Sequence, residues 1–181
     1  QLHNAGQKIF GENYVQELTV KQQELSKDIQ WHFIGHLQSN KVKQIASAVN
    51  LIHSVDSLKL LKEINKCGEQ SGIIINCLLQ IYIAEEETKF GFDIKEANDV
   101  VQNTSSLKNI NIKGLMGMAT NTDNTSQIEK EFKQLYSLYT DLQKHFSLSI
   151  LSMGMTADYK IALHCGSNMI RIGSALFGER G

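Results

Sequence analysis

Residues 150–181 read ILSMGMTADYKIALHCGSNMIRIGSALFGERG, and the reading of this stretch decides the fold. Its apolar opening, residues 150–155, has the character of a strand, residues 156–165 that of a short helix, and Gly166 that of a helix stop. Residues 169–177 are predicted as a second strand, which makes the segment a strand, crossover, strand unit with two parallel strands side by side. Gly166-Ser167-Asn168 and Arg171-Ile172-Gly173-Ser174 put small residues, amide N–H groups and one guanidinium where strands meet loops. Such places suit a phosphate.

Working outward, the same order recurs along the chain. A short apolar run from Lys8 precedes a helical stretch over residues 15–25, and the aromatic, β-branched run 31–37 precedes a helix for which Ser39 is the predicted N-cap. Strand 51–56 leads into a helix capped by Asp56 or Ser57 and stopped at Gly68, and a further strand lies within residues 73–84. The polar, glycine-containing stretch 85–93 reads as a loop at a strand end, the place where binding residues gather. Strand 112–119 is followed by a predicted capping box of Ser126 and Glu129. Ile128, Phe132, Leu135, Tyr139, Leu142 and Phe146 then keep the spacing of one buried helix face.

Seven strand-like runs, all but the last followed by a helix, predict a parallel sheet covered by helices. With 0 prolines and no linker-like segment, residues 1–181 are expected to form a single domain. Seven units fit a (β/α)8 TIM barrel that lacks its first strand; a doubly wound sheet is the alternative. Residues 1–6 resemble the last turn of a helix stopped by Gly6, which leads us to expect sequence upstream.

The 181 residues are 41% hydrophobic and 20% charged, ordinary for a soluble globular domain. A net charge of −1 argues against a nucleic-acid binder and favours a small-molecule partner. No apolar run approaches the roughly 20 residues of a membrane helix. Cys67, Cys77 and Cys165 are widely spaced and read as thiols of a reducing cytoplasm. They have no histidine at motif spacing to serve as a base. His32 and His36 share a face of a strand but lack a third ligand for zinc. Glu12 and Asp56 are the candidate acid/base carboxylates, with helix capping and surface solvation as their ordinary alternative. In a barrel, phosphates are commonly held after the last two strands, where Gly166, Ser167 and Gly173 fall in this reading.

Six motifs, in order along the whole chain, resemble the pyridoxal phosphate homeostasis protein family. They are residues 10–17 (FGENYVQE), 31–41 (WHFIGHLQSNK), 53–56 (HSVD), 114–119 (GLMGMA), 151–155 (LSMGM) and 171–180 (RIGSALFGER). The resemblance implies a barrel of the alanine racemase N-terminal type. It implies bound pyridoxal 5′-phosphate (PLP) and a role as cofactor carrier or regulator without established catalysis, in the cytoplasm, as a monomer, with PLP-dependent apoenzymes as partners. The alternatives are a PLP-dependent racemase, which would need a second β-rich domain, and a barrel enzyme for another phosphorylated metabolite. Carried over, the cofactor residues are Gly166, Ser167, Asn168 and Gly173 for the phosphate and Arg171 for the pyridine nitrogen. Asn13, His36, Ser54 and Met153 would line the pocket. Asn168 stands where the family has threonine, and the family's Schiff-base lysine would precede Gln1.

Overall fold

The computed structural model describes residues 1–85 and 90–178. Residues 86–89 of the expected polar loop, and Glu179 and Arg180 of the last motif, lie outside them.

Among the described residues, seven strands alternate with seven α-helices. The order is β1 (Ile9–Glu12), α1 (Val15–Glu24), β2 (Gln30–Phe33), α2 (Val42–Ile45), β3 (Leu51–Val55), α3 (Leu58–Ser71), β4 (Ile75–Ile81) and α4 (Ile94–Asn103). It continues with β5 (Ile110–Gly117), α5 (Thr125–Gln143), β6 (Ile150–Met155), α6 (Tyr159–His164), β7 (Met169–Arg171) and α7 (Ser174–Phe177). Every pairing is parallel, and the spatial order β1 to β7 is the sequence order. A doubly wound sheet would reverse its order at a switch point. This one does not, and it curls into a nearly closed β/α barrel.

Alternation along the strands sorts the side chains. Phe33, Ile52, Leu79, Leu115 and Leu151 face outward and form the main core with Leu18, Ile45, Leu61, Ile64, Ala97, Phe132, Leu135 and Ala162 of the helices. The inward face has two levels. Leu51, Leu78 and Met116, with Ile150 and Met169 against them, close the lower end. Two residues further along the same strands stand His53, Gln80, Met118, Ser152 and Arg171, so the interior turns from apolar to largely polar toward the carboxyl ends.

Several expected boundaries move for local reasons. α3 runs through Gly68 to a left-handed stop at Gly72 (φ 66°). Gly68 is small because the backbone of Asn109 passes it; a Cβ there would sit 2.7 Å from that carbonyl oxygen. α5 is capped by Asn124, whose side chain accepts from Gln127 N–H, while Glu129 pairs with Lys133 instead of forming a box with Ser126. The capping box belongs to α4, between Asp93 and Glu96. Ser39 opens a 3-10 turn (Ser39–Lys41) and makes no side-chain cap, whereas Ser57 does cap α3. The expected last strand ends at Arg171, and residues 174–177 make a helical turn instead.

Candidate functional site

The carboxyl ends of the strands bring together residues from distant parts of the sequence. Asn13 follows β1 and is exposed. Gly35 follows β2, and any side chain there would collide with the carbonyl of Asn13, so a glycine is needed for the first two loops to touch. The Ser54 hydroxyl at the end of β3 donates to the Gly35 carbonyl, which ties that loop down. His36, half-exposed on the rim, holds Asp56 through Nδ1 at 3.1 Å and stacks on Phe90 with ring centroids 4.6 Å apart. Phe90 is itself anchored, because its carbonyl accepts from the Gln80 amide at 2.8 Å. Asn13, His36 and Ser54 therefore share the mouth of the barrel. Asp56 serves as the partner of His36.

Beneath this mouth lies Arg171, the last residue of β7. Its Nη1 donates to Ser152 Oγ at 2.7 Å and to the Ser152 carbonyl at 3.0 Å, and its Nη2 donates to the Gly117 carbonyl at 3.2 Å. These partners are neutral oxygens, and burial lowers its pKa to about 10, still charged at neutral pH. Ser152 Oγ also meets His53 Nδ1 at 3.2 Å, and His53 Nε2 meets His32 Nδ1 at 3.0 Å. Burial lowers the pKa of His32 to about 4 and that of His53 well below its usual value, so both rings are neutral near pH 7. Ser152 and His53 are the residues that sequence reasoning missed. Their signal was parity, since each stands two positions after an inward apolar residue, Ile150 and Leu51.

The proposed phosphate turn falls elsewhere. Gly166, Ser167 and Asn168 precede β7, so they sit at the amino end of the sheet, separated from Gly173 by a three-residue strand of roughly 10 Å. Their polar groups are already committed. Gly166 N–H donates to Leu163 O and Ser167 N–H to Ala162 O, which is the paired capping pattern of a helix stop. The Ser167 hydroxyl lies among the carbonyls of Leu151, Met153 and Met169. The Asn168 amide donates to Ser149 O, and its oxygen accepts from Leu151 N–H. One anion cannot reach this turn and Gly173 together. Met153 is also misplaced by the expectation: it faces outward and is fully buried in the helix-facing core. Gly173 does belong to the mouth, with open space where a Cβ would lie.

The remaining candidates have structural partners. Glu12 is buried and pairs with Lys21 at 2.5 Å, while its Oε2 has no hydrogen-bond partner. Burial pushes the Cys77 thiol up to about 12, which leaves no thiolate for nucleophilic chemistry. Among the described residues, no group of three or more His, Cys, Asp or Glu could hold a metal ion. None of the described helices is long and apolar enough to cross a membrane. Lys8 precedes β1 and pairs with Asp28, Lys43 and Lys160 lie in α2 and α6, and Lys41 ends the 3-10 turn.

Sequential parallel strands, outer helices and a polar mouth above the Arg171 guanidinium define a β/α-barrel protein. The alanine racemase N-terminal domain family matches residues 1–181. The chain belongs to that family and, within it, to the pyridoxal phosphate homeostasis proteins. It is 37% identical to the pyridoxal phosphate homeostasis protein of Aquifex aeolicus over 183 residues, covering 99% of this chain and 80% of the relative. It is 41% identical to that of Helicobacter pylori over 180 residues, covering 98% and 80%. PipY of Synechococcus elongatus, solved without PLP, superposes with a TM-score of 0.92 at 34% identity over 97% of this chain and 84% of that one. The same protein with PLP bound gives 0.88.

Proposed function

We propose that this chain binds PLP at the carboxyl ends of its strands and acts in intracellular PLP homeostasis, as a carrier or regulator rather than a catalyst. The observation that carries this reading is Arg171, a charged guanidinium whose hydrogen bonds inside the barrel all go to neutral oxygens, with the Asp158 carboxylate acting on it only through space. Three of its five N–H donors are used by Ser152 and Gly117, which leaves two for a ligand acceptor such as a pyridine nitrogen. A fixed positive charge there disfavours a protonated ring.

The surroundings fit the group. Gly173 opens on free space, Ser174 follows it, and Thr156 comes one residue after Met155, which is in register with Arg171. These three replace the turn at Gly166, Ser167 and Asn168 as the phosphate end of the site. Asn13, His36 and Ser54 wall the mouth. Bound PLP supplies an aldehyde that captures amines and a ring that accepts electrons. Arg171 weakens that electron sink by withholding the ring proton, which suits storage better than turnover. The same reading makes the protein a cytoplasmic monomer of one barrel domain that serves PLP-dependent apoenzymes, in keeping with its three free, buried thiols.

Titration with PLP, followed by absorbance and fluorescence, tests the reading. Saturable binding of one PLP per chain is expected, and Arg171→Gln, which removes the charge but keeps donors, should shift the absorption of the bound cofactor. Absence of saturable binding would sink it. So would alanine racemisation by the unaltered chain at about 1 per second or faster.

A further inference from the structure

Arg171 rests on a row of polar side chains that cofactor contact alone does not require. The row runs from Arg171 to Ser152, to His53 and to His32, across β7, β6, β3 and β2, with the two imidazole rings 5.1 Å apart and tilted by 48°. Its hydrogen-bond directions can be deduced from one end. A guanidinium only donates, so Ser152 Oγ accepts from it. Among the described residues, the hydroxyl proton of Ser152 then has one recorded acceptor, Nδ1 of His53. That nitrogen must be bare, so the proton of neutral His53 sits on Nε2 and is donated to Nδ1 of His32. His32 in turn carries its proton on Nε2. Reversing any one bond would face two protons against each other or leave a buried hydroxyl proton unpaired.

We propose that Ser152, His53 and His32 form a one-way hydrogen-bond relay that positions the Arg171 guanidinium for its ligand without neutralising it. A carboxylate could hold the guanidinium equally well, but it would cancel the charge that the ligand's ring nitrogen feels. Neutral imidazoles and a hydroxyl fix its position and leave its charge intact. Among the described residues, no carboxylate forms an ion pair with Arg171; Asp158 acts on it only through space, and its bonds go to Ser152 and Gly117. His53 and His32 touch no ligand in this scheme. They act through Ser152, as positioning residues.

The role of the relay rests on the PLP reading, but its existence does not, and two measurements separate them. Long-range nitrogen–proton correlation spectra of the imidazoles near pH 7, assigned with His32→Gln and His53→Gln, should find both rings neutral and protonated on Nε2. A proton on Nδ1 of His53, or a charged ring, overturns the relay whatever the chain binds. In PLP titrations, Ser152→Ala and His53→Leu should weaken binding by about tenfold, the loss of one good hydrogen bond, and shift the bound cofactor's absorption. His53→Gln offers one acceptor and one donor and should restore most of both. If His53→Leu fails to fold, Ser152→Ala, which removes only a hydroxyl, decides the matter. Unchanged affinity and spectrum in Ser152→Ala overturn the positioning role. If the unaltered chain binds no PLP, the cofactor reading fails and the tautomers alone decide whether the relay exists.

Discussion

Neighbouring residues on β6 show how one step along a strand separates two functions. Ser152 faces the interior and touches Arg171, while Met153 faces the helices and is fully buried among apolar side chains. Met153→Ala should therefore cost about 2–5 kcal/mol of stability, the usual penalty for emptying a core site, and leave the PLP affinity of the folded protein unchanged. Denaturant titration and PLP titration of the same variant check both halves. A fall in affinity without a fall in stability would return Met153 to the pocket. The thiols make a second test at this scale. Cys67, Cys77 and Cys165 are all buried, and burial raises the pKa of each. A disulfide reagent should label none of them in the folded protein and all three after unfolding. Rapid labelling under native conditions would contradict the packing.

At the scale of elements, the turn between α6 and β7 is a joint rather than a ligand site. Gly166 adopts φ 94° under the ring of Tyr136, so a side chain there is strained by the backbone and blocked by the ring. Gly166→Ala is expected to destabilise the fold by about 2 kcal/mol. Asn168 bridges Ser149 O and Leu151 N–H, at 2.9 and 2.8 Å, with the two ends of one amide. A threonine is too short to make both bonds, so Asn168→Thr should cost about 1 kcal/mol. Neither change should alter PLP affinity in the folded state. A large loss of affinity in either would place the phosphate at the amino end of the sheet after all.

For the whole molecule, the polar interior makes stability depend on pH. His32 and His53 are kept neutral by burial, His32 with a folded pKa of about 4. In the unfolded chain both titrate near 6.5, so below that pH the unfolded state takes up protons that the folded state refuses. Stability is full above about pH 6.5 and falls as pH drops toward about 4. His32 alone contributes about 3 kcal/mol to that fall, and His53 adds to it in the same direction. Denaturation midpoints measured across this window should decline with acid, and His32→Gln should flatten the decline. A midpoint independent of pH would mean that the two rings are not buried in neutral form.

Local chemistry determined much of this protein. Seven apolar runs alternating with amphipathic helices implied a parallel sheet, because side-chain period and strand-to-helix order are written in the sequence. Six motifs in order implied the family. The strand, helix, strand order also implied that Gly166-Ser167-Asn168, which leads from a helix into a strand, lies at the amino end of the sheet. What the sequence left open was whether its N–H groups are free for a phosphate, and in the fold they are already bonded. The inward or outward sense of Ser152 and Met153 was likewise undecided, since either parity suits a strand buried on both faces. Curling the sheet settled that choice. It brought Ser152 against His53, 99 residues away in the chain, and placed an arginine above them where no local pattern marks the contact.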